Sequence, residues 1–148
     1  MSKQSDIDAI DEELLALHRV SYQHKSWETL QRLAGVDLDR AGAALLKTVA
    51  FSQTSCRMQD VALHLGVEAP SVTRKVQELE EQGLVRRVPD MKDRRVNHVT
   101  ITAEGMAQLQ KLQQVRRNML ARALSNWSEE DRQTLARLLR KFAQGLHQ

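Results

Sequence analysis

The 148-residue chain holds 41% hydrophobic and 28% charged residues, a balance inside the globular range and outside that of disordered chains. Its single cysteine excludes an internal disulfide framework, and no apolar run approaches the roughly 18 residues that span a bilayer. The formal net charge is only +3, so an anionic partner has to be argued from where the charge lies.

The chain starts acidic. Residues 1–17 carry five acids against Lys3, a net of −4. A secretory leader is basic and then apolar, so a cytoplasmic location is expected. Ile7, Ile10, Leu14 and Leu17 fall at steps of three and four, which predicts a helix from about Ser5, as its N-cap, to Leu33. After "GVDLDR", Asp37 is placed to cap a second helix carrying Ala41, Leu45 and Val49.

Two short helical units follow. "MQDVALHLG" puts Val61, Ala62 and Leu65 on one face and stops at Gly66. "VEAPSVTRKVQELEEQG" restarts with Pro70 in the first turn, where its missing N–H is harmless, and turns Val72, Val76 and Leu79 inward until Gly83. "LVRRV" and "VNHVTIT" are then β-rich, with Val99 and Ile101 on one face and Val96, His98 and Thr100 on the other. Pro89 and Asp90 form the turn, so a hairpin with a charged tip is expected. Thr102 caps a helix with Met106, Leu109 and Leu112 inward. "SEED" from Ser128 fits a capping box for a last helix carrying Leu135, Leu138, Leu139, Phe142 and Leu146.

Helix, tight turn, helix and hairpin make a mainly α fold with a small β-hairpin wing (α+β), a winged helix-turn-helix. A helix held across a short turn can enter the DNA major groove, about 12 Å wide, if its first turns are slim and rich in donors. Ser71, Thr73, Arg74 and Lys75 surround the inward Val72, while Glu78, Glu80 and Glu81 turn the far end away from phosphate. Residues 84–98 hold Arg86, Arg87, Lys92, Arg94 and Arg95 against Asp90 and Asp93, a net of +3. Arginines at a wing tip suit the narrow minor groove of A·T-rich sequence. Arg94, with Arg95 next, is the candidate to enter it, aimed by Asp93; Arg86 and Arg87 lie where phosphates flank the groove. For any one of these residues the bland alternative is a solvated helix face or a charged edge that blocks aggregation.

Together, "SVTRKVQELEEQGLVRR" and "DMKDRRVNHVTITAEG", within Met58 to Gly105, resemble the MarR family of bacterial transcription regulators. The resemblance implies a homodimer with intertwined terminal helices (residues 1–35 and 103–148) around a DNA-binding domain (36–102), reading a pseudo-palindromic promoter site on double-stranded DNA. It puts recognition-helix contacts on Ser71, Thr73, Arg74 and Lys75, and wing-tip contacts on Asp93, Arg94 and Arg95. A small aromatic or phenolic effector is also implied, with His18, Tyr22, Trp27 and Arg32 as its candidate ligands. Two features depart from the pattern: Lys75 stands where an apolar residue is common, and Glu68 where a better N-cap is. A first helix of ~28 residues supports the dimer independently, since two copies can bury such arms against each other. Trp27, Leu135, Leu138, Leu139, Phe142 and Leu146 are the interface or core candidates.

Cys56 beside Arg57 invites a redox reading, but a free cysteine is more often an inert small residue. Asp60 and His64, at i and i+4, form a helix-face pair and fall short of the three or four ligands a metal gathers. No phosphate loop, nucleophile elbow or paired-carboxylate pattern stands out, so no enzyme activity, cofactor or metal is expected. The sequence therefore points to a repressor-type DNA-binding regulator. The rival reading is a winged-helix protein-interaction module with a solvated basic hairpin.

Overall fold

The computed structural model describes the backbone of residues 3–22, 24–52 and 56–146, and their side chains except at 3, 21, 22, 24 and 25. The predicted first helix is two elements, α1 (Lys3–Tyr22) and α2 (His24–Ala34). Ser5 therefore lies inside α1 rather than capping it. Next come α3 (Arg40–Phe51), β1 (Cys56–Arg57), α4 (Met58–Leu65) and α5 (Ala69–Glu81). The wing strands are β2 (Val85–Pro89) and β3 (Asn97–Ile101), followed by α6 (Ala103–Ala123) and α7 (Glu129–Leu146).

The cap of α3 is Asp39, whose Oδ1 accepts the Gly42 N–H at 2.7 Å. Asp37, expected in that role, lies too far upstream: the chain stays extended through Asp39, and Leu38 between the two aspartates is buried in the core. Gly66 ends α4 at φ 62°, ψ 33°, and its N–H and that of Val67 bond back to the last carbonyls of the helix. A left-handed residue reverses the chain there within two positions, which sets α5 across α4. As its sequence suggested, α5 starts at Glu68 without a side-chain cap and with Pro70 in its first turn.

The core is made where these helices meet the sheet. Leu45, Leu46 and Val49 of α3, Val61 of α4, Val72, Val76 and Leu79 of α5, and Leu84, Val85 and Val99 around the wing are all buried. Trp27, Leu30 and Ala34 of α2 pack against this cluster, which extends the compact unit upstream of residue 36. Cys56 is buried too, on a two-residue strand that sequence periodicity did not disclose. It pairs with Val99, so the sheet has three antiparallel strands in the order β1-β3-β2 instead of a lone hairpin. Pro89, expected in the turn, is the last paired residue of β2, opposite Asn97.

Gly105 sits where α6 leaves the sheet. A Cβ there would lie 2.1 Å from the Leu84 carbonyl oxygen, so no side chain fits. Thr102 caps α6 as expected, its hydroxyl accepting the Gly105 N–H at 3.1 Å and donating to the Gly83 carbonyl at 2.6 Å. The chain forms two compact units, residues 1–114 and 115–148, parting within α6. In the second, Ser128 caps α7, its hydroxyl accepting the Asp131 N–H at 3.0 Å and donating to Asp131 Oδ2 at 2.8 Å in place of the backbone bond of a full capping box, and no residue of α7 is buried.

Candidate nucleic-acid interface

The outward face of α5 carries Ser71 and Arg74, both exposed, and Arg74 makes no ion pair among the described residues. Thr73 is exposed as well, but its hydroxyl donates to the Ala69 carbonyl at 3.1 Å, leaving its lone pairs for an incoming donor. Lys75 differs from its neighbours. Its ammonium binds Asp39 Oδ2 at 2.8 Å and also contacts Glu78 one turn along. Burial works against the charged ammonium, yet hydrogen bonds and charge from Asp39 and Glu78 outweigh it and raise the Lys75 pKa. Desolvation likewise opposes the lowered pKa of Asp39, where the bonds from Lys75 and the Gly42 N–H prevail.

Between α5, α3 and the turn after α4 runs an open groove of ≈ 460 Å³, lined by Ala41, Ala44 and Leu45 of α3 and by Ser71, Arg74 and Lys75 of α5.

The wing is organised by an aspartate whose sequence marked it only as a turn former. Asp90 Oδ1 accepts the N–H groups of Lys92 at 2.7 Å and Asp93 at 3.1 Å, while its Oδ2 lies 2.7 Å from His98 Nε2 on β3. The His98 contact first, then the two backbone bonds, hold the Asp90 pKa down at about 2 from 3.8. The Asp90 N–H bonds the Val96 carbonyl and the Val96 N–H the Asp93 carbonyl, each at 2.9 Å, so the tip is closed from both sides. Sequence reasoning missed His98 as a functional position; an aspartate two residues ahead of a backbone donor, opposite a strand histidine, is the signal that could have found the pair.

On this frame Lys92, Arg94 and Arg95 are exposed. Asp93 Oδ1 accepts the Arg95 N–H at 3.0 Å and lies 3.5 Å from its Nε. Of the two arginines that Asp93 was expected to aim, it is Arg95 that its Oδ1 contacts, through the backbone and at the edge of ion-pair distance to the side chain. Arg86 is exposed on β2, whereas Arg87 Nε sits 3.0 Å from Glu80 Oε2 and its backbone N–H donates to Glu80 Oε1 at 3.2 Å. That pair lashes the wing to the end of α5, so Arg87 is an internal strut before it is a phosphate ligand.

Of the effector candidates, His18 lines a recess on α1 with Glu12, Leu15 and Arg19. Trp27 packs against the core under the Arg40 guanidinium, 5.6 Å from its ring centre, Arg32 is exposed, and the Tyr22 side chain lies outside the described residues. Asp60 and His64 are exposed, and the described residues contain no group of three or more candidate metal ligands. No helix among them is long and apolar enough to cross a membrane.

A short-turn helix pair, an uncovered second helix and a three-stranded wing define the chain as a winged helix-turn-helix protein. Residues 36–96 match the MarR family model. It is 31% identical over 90 residues to the HTH-type transcriptional repressor MdtR of Bacillus subtilis (strain 168), a match covering 61% of this chain and 58% of that relative. Among solved structures it resembles the transcriptional regulator BldR from Sulfolobus solfataricus, with a TM-score of 0.67 and 27% identity over 97% of this chain and 99% of that one. A MarR family protein from Bacillus stearothermophilus superposes with a TM-score of 0.82 at 18% identity, covering 100% of this chain and 99% of that one, which shows the shared fold.

Proposed function

We propose that the chain is a sequence-specific DNA-binding transcription regulator, a repressor that acts as a homodimer on a pseudo-palindromic site. The observation that carries the reading is the exposed Ser71 and Arg74 face of α5, together with a hydrogen-bonded wing tip that displays Lys92, Arg94 and Arg95. Arg74 reads base edges or phosphate in the major groove through its planar fork. Arg95, steered by Asp93, enters the minor groove, with Arg94 alongside it, and Arg86 meets phosphate. The repressor sense is supported by similarity to MdtR, and the regulator reading by similarity to BldR.

Two faces support the dimer. Ile7, Ile10, Leu14 and Leu17 of α1 are exposed, and so are Leu138, Leu139, Phe142 and Leu146 of α7. Rows of apolar side chains that the chain itself leaves uncovered fit a second copy. Two reading heads are also what a two-fold DNA site requires.

Band-shift assays on the DNA surrounding the protein's own gene, with a scrambled duplex as control, test the proposal. Preferential retardation of one fragment by a species of dimer mass supports it. Equal affinity for both duplexes would remove the sequence-specific part of the reading.

A further inference from the structure

Lys75 lies on the DNA-facing helix, one residue from Arg74, yet only 22% of its side chain is exposed. Its stem lines the apolar groove beside Ala41 and Ala44, and its ammonium is turned onto two carboxylates. One of these, Asp39, stands 36 positions earlier in the chain and is also the cap of α3. The packing at this corner is tight: a Cβ on Gly42 would come within 2.8 Å of Leu38 Cδ1 and 3.3 Å of Leu79 Cδ2. Asp39 and Glu78 remain 58% and 45% exposed. The cluster therefore carries a net negative charge close to the surface that phosphate would approach.

We propose that Asp39, with Glu78, is a specificity-determining latch that holds Lys75 off the DNA backbone while pinning the recognition helix to the start of α3. This inference rests on the DNA-binding reading above and reverses the expected role of Lys75. A free lysine at this position would contact phosphate on any duplex, adding affinity without sequence information. Held by the latch, it adds none, and the two carboxylates disfavour non-cognate backbone. Discrimination is then left to Arg74 and the wing. The nearby charges set different constraints: Arg74 is unpaired among the described residues, and Arg87 is occupied by Glu80.

The test uses the full chain with a cognate and a scrambled duplex, titrated across a range of salt. Asp39→Asn keeps an oxygen to cap Gly42 but removes one of the two charges that hold Lys75. It is expected to tighten binding to the scrambled duplex, narrow the cognate preference and steepen log K against log salt by about 0.9 for each additional phosphate neutralised. Lys75→Gln in the parent should leave the salt slope unchanged. Added to Asp39→Asn, it should return the slope to the parental value. A merely structural role for the pair would alter melting temperature and leave these slopes alone.

A parental slope that already falls by about 0.9 on Lys75→Gln would show that Lys75 contacts DNA directly, and overturns the latch. Additive effects of the two substitutions on the slope overturn it as well. Failure of the parent to bind either duplex would instead overturn the DNA-binding reading and, with it, the latch. Glu78→Gln, away from the cap, checks that the Asp39→Asn result is not a folding defect: the same direction of change is expected with α3 unaltered, and no change in slope or preference counts against the latch.

Discussion

At the wing tip a single carboxylate accepts two backbone N–H groups and meets His98, and this gives Asp90 its low pKa of about 2. A carboxylate whose pKa is depressed in the folded chain stabilises it fully above the unfolded value of 3.8 and loses that contribution as the pH falls toward 2. The Lys92 and Asp93 amide resonances should therefore shift together through that acid window, and Asp90→Ala should abolish the step while leaving the core folded. Beyond the wing, Arg74→Ala should weaken DNA binding and lower the cognate preference, by about 1–3 kcal/mol if the side chain forks onto a base. Arg95→Ala and Asp93→Ala should weaken binding at A·T-rich flanks non-additively, measured as a double-mutant cycle, because the aspartate acts through the arginine it steers. Which residues were exposed and basic was legible in the sequence, since charge and spacing mark a surface. Which of them were already occupied was not. Lys75 and Arg87 meet partners that only the folded chain brings near, across 36 and 7 positions, and the turn aspartate Asp90 likewise meets His98 across 8.

The helices and wing strands were legible wherever a period or a cap announced them. Val61, Val72, Val76 and Leu79 are buried as their spacing required, Gly66 takes the left-handed stop, and Thr102 and Ser128 cap α6 and α7. What stayed hidden has physical reasons: a strand of two residues is too short to show alternation, and "VDLD" offers two caps of the same chemistry. Only burial of Leu38 between them shows where the turn begins. Close approach of elements is equally invisible in a pattern of residue types. Gly105→Ala would drive a methyl into the backbone of Leu84 and should destabilise the chain by about 3 kcal/mol or more. Gly42→Ala meets side-chain atoms that can move, and should lower stability less; urea denaturation of the two variants checks the order. Ser128→Ala should lose about 1 kcal/mol from the start of α7.

For the whole molecule, the charge asymmetry of the sequence falls on separate elements, an acidic α1 and a wing region of net +3. On the proposed homodimer, which would cover the exposed apolar rows of α1 and α7, Phe142→Glu should shift the protein from dimer to monomer mass in sedimentation. A monomeric variant should also bind a two-fold site far more weakly, having lost one of its two reading heads. The most direct test of DNA recognition is the equilibrium constant of the parent protein on a cognate duplex, measured from roughly 50 to 200 mM salt, where each phosphate neutralised contributes a slope of about −0.9. A steep linear fall in log K with log salt, with the cognate duplex retained at salt concentrations that release a scrambled one, is the expected result. A flat response, or identical behaviour on both duplexes, would contradict it.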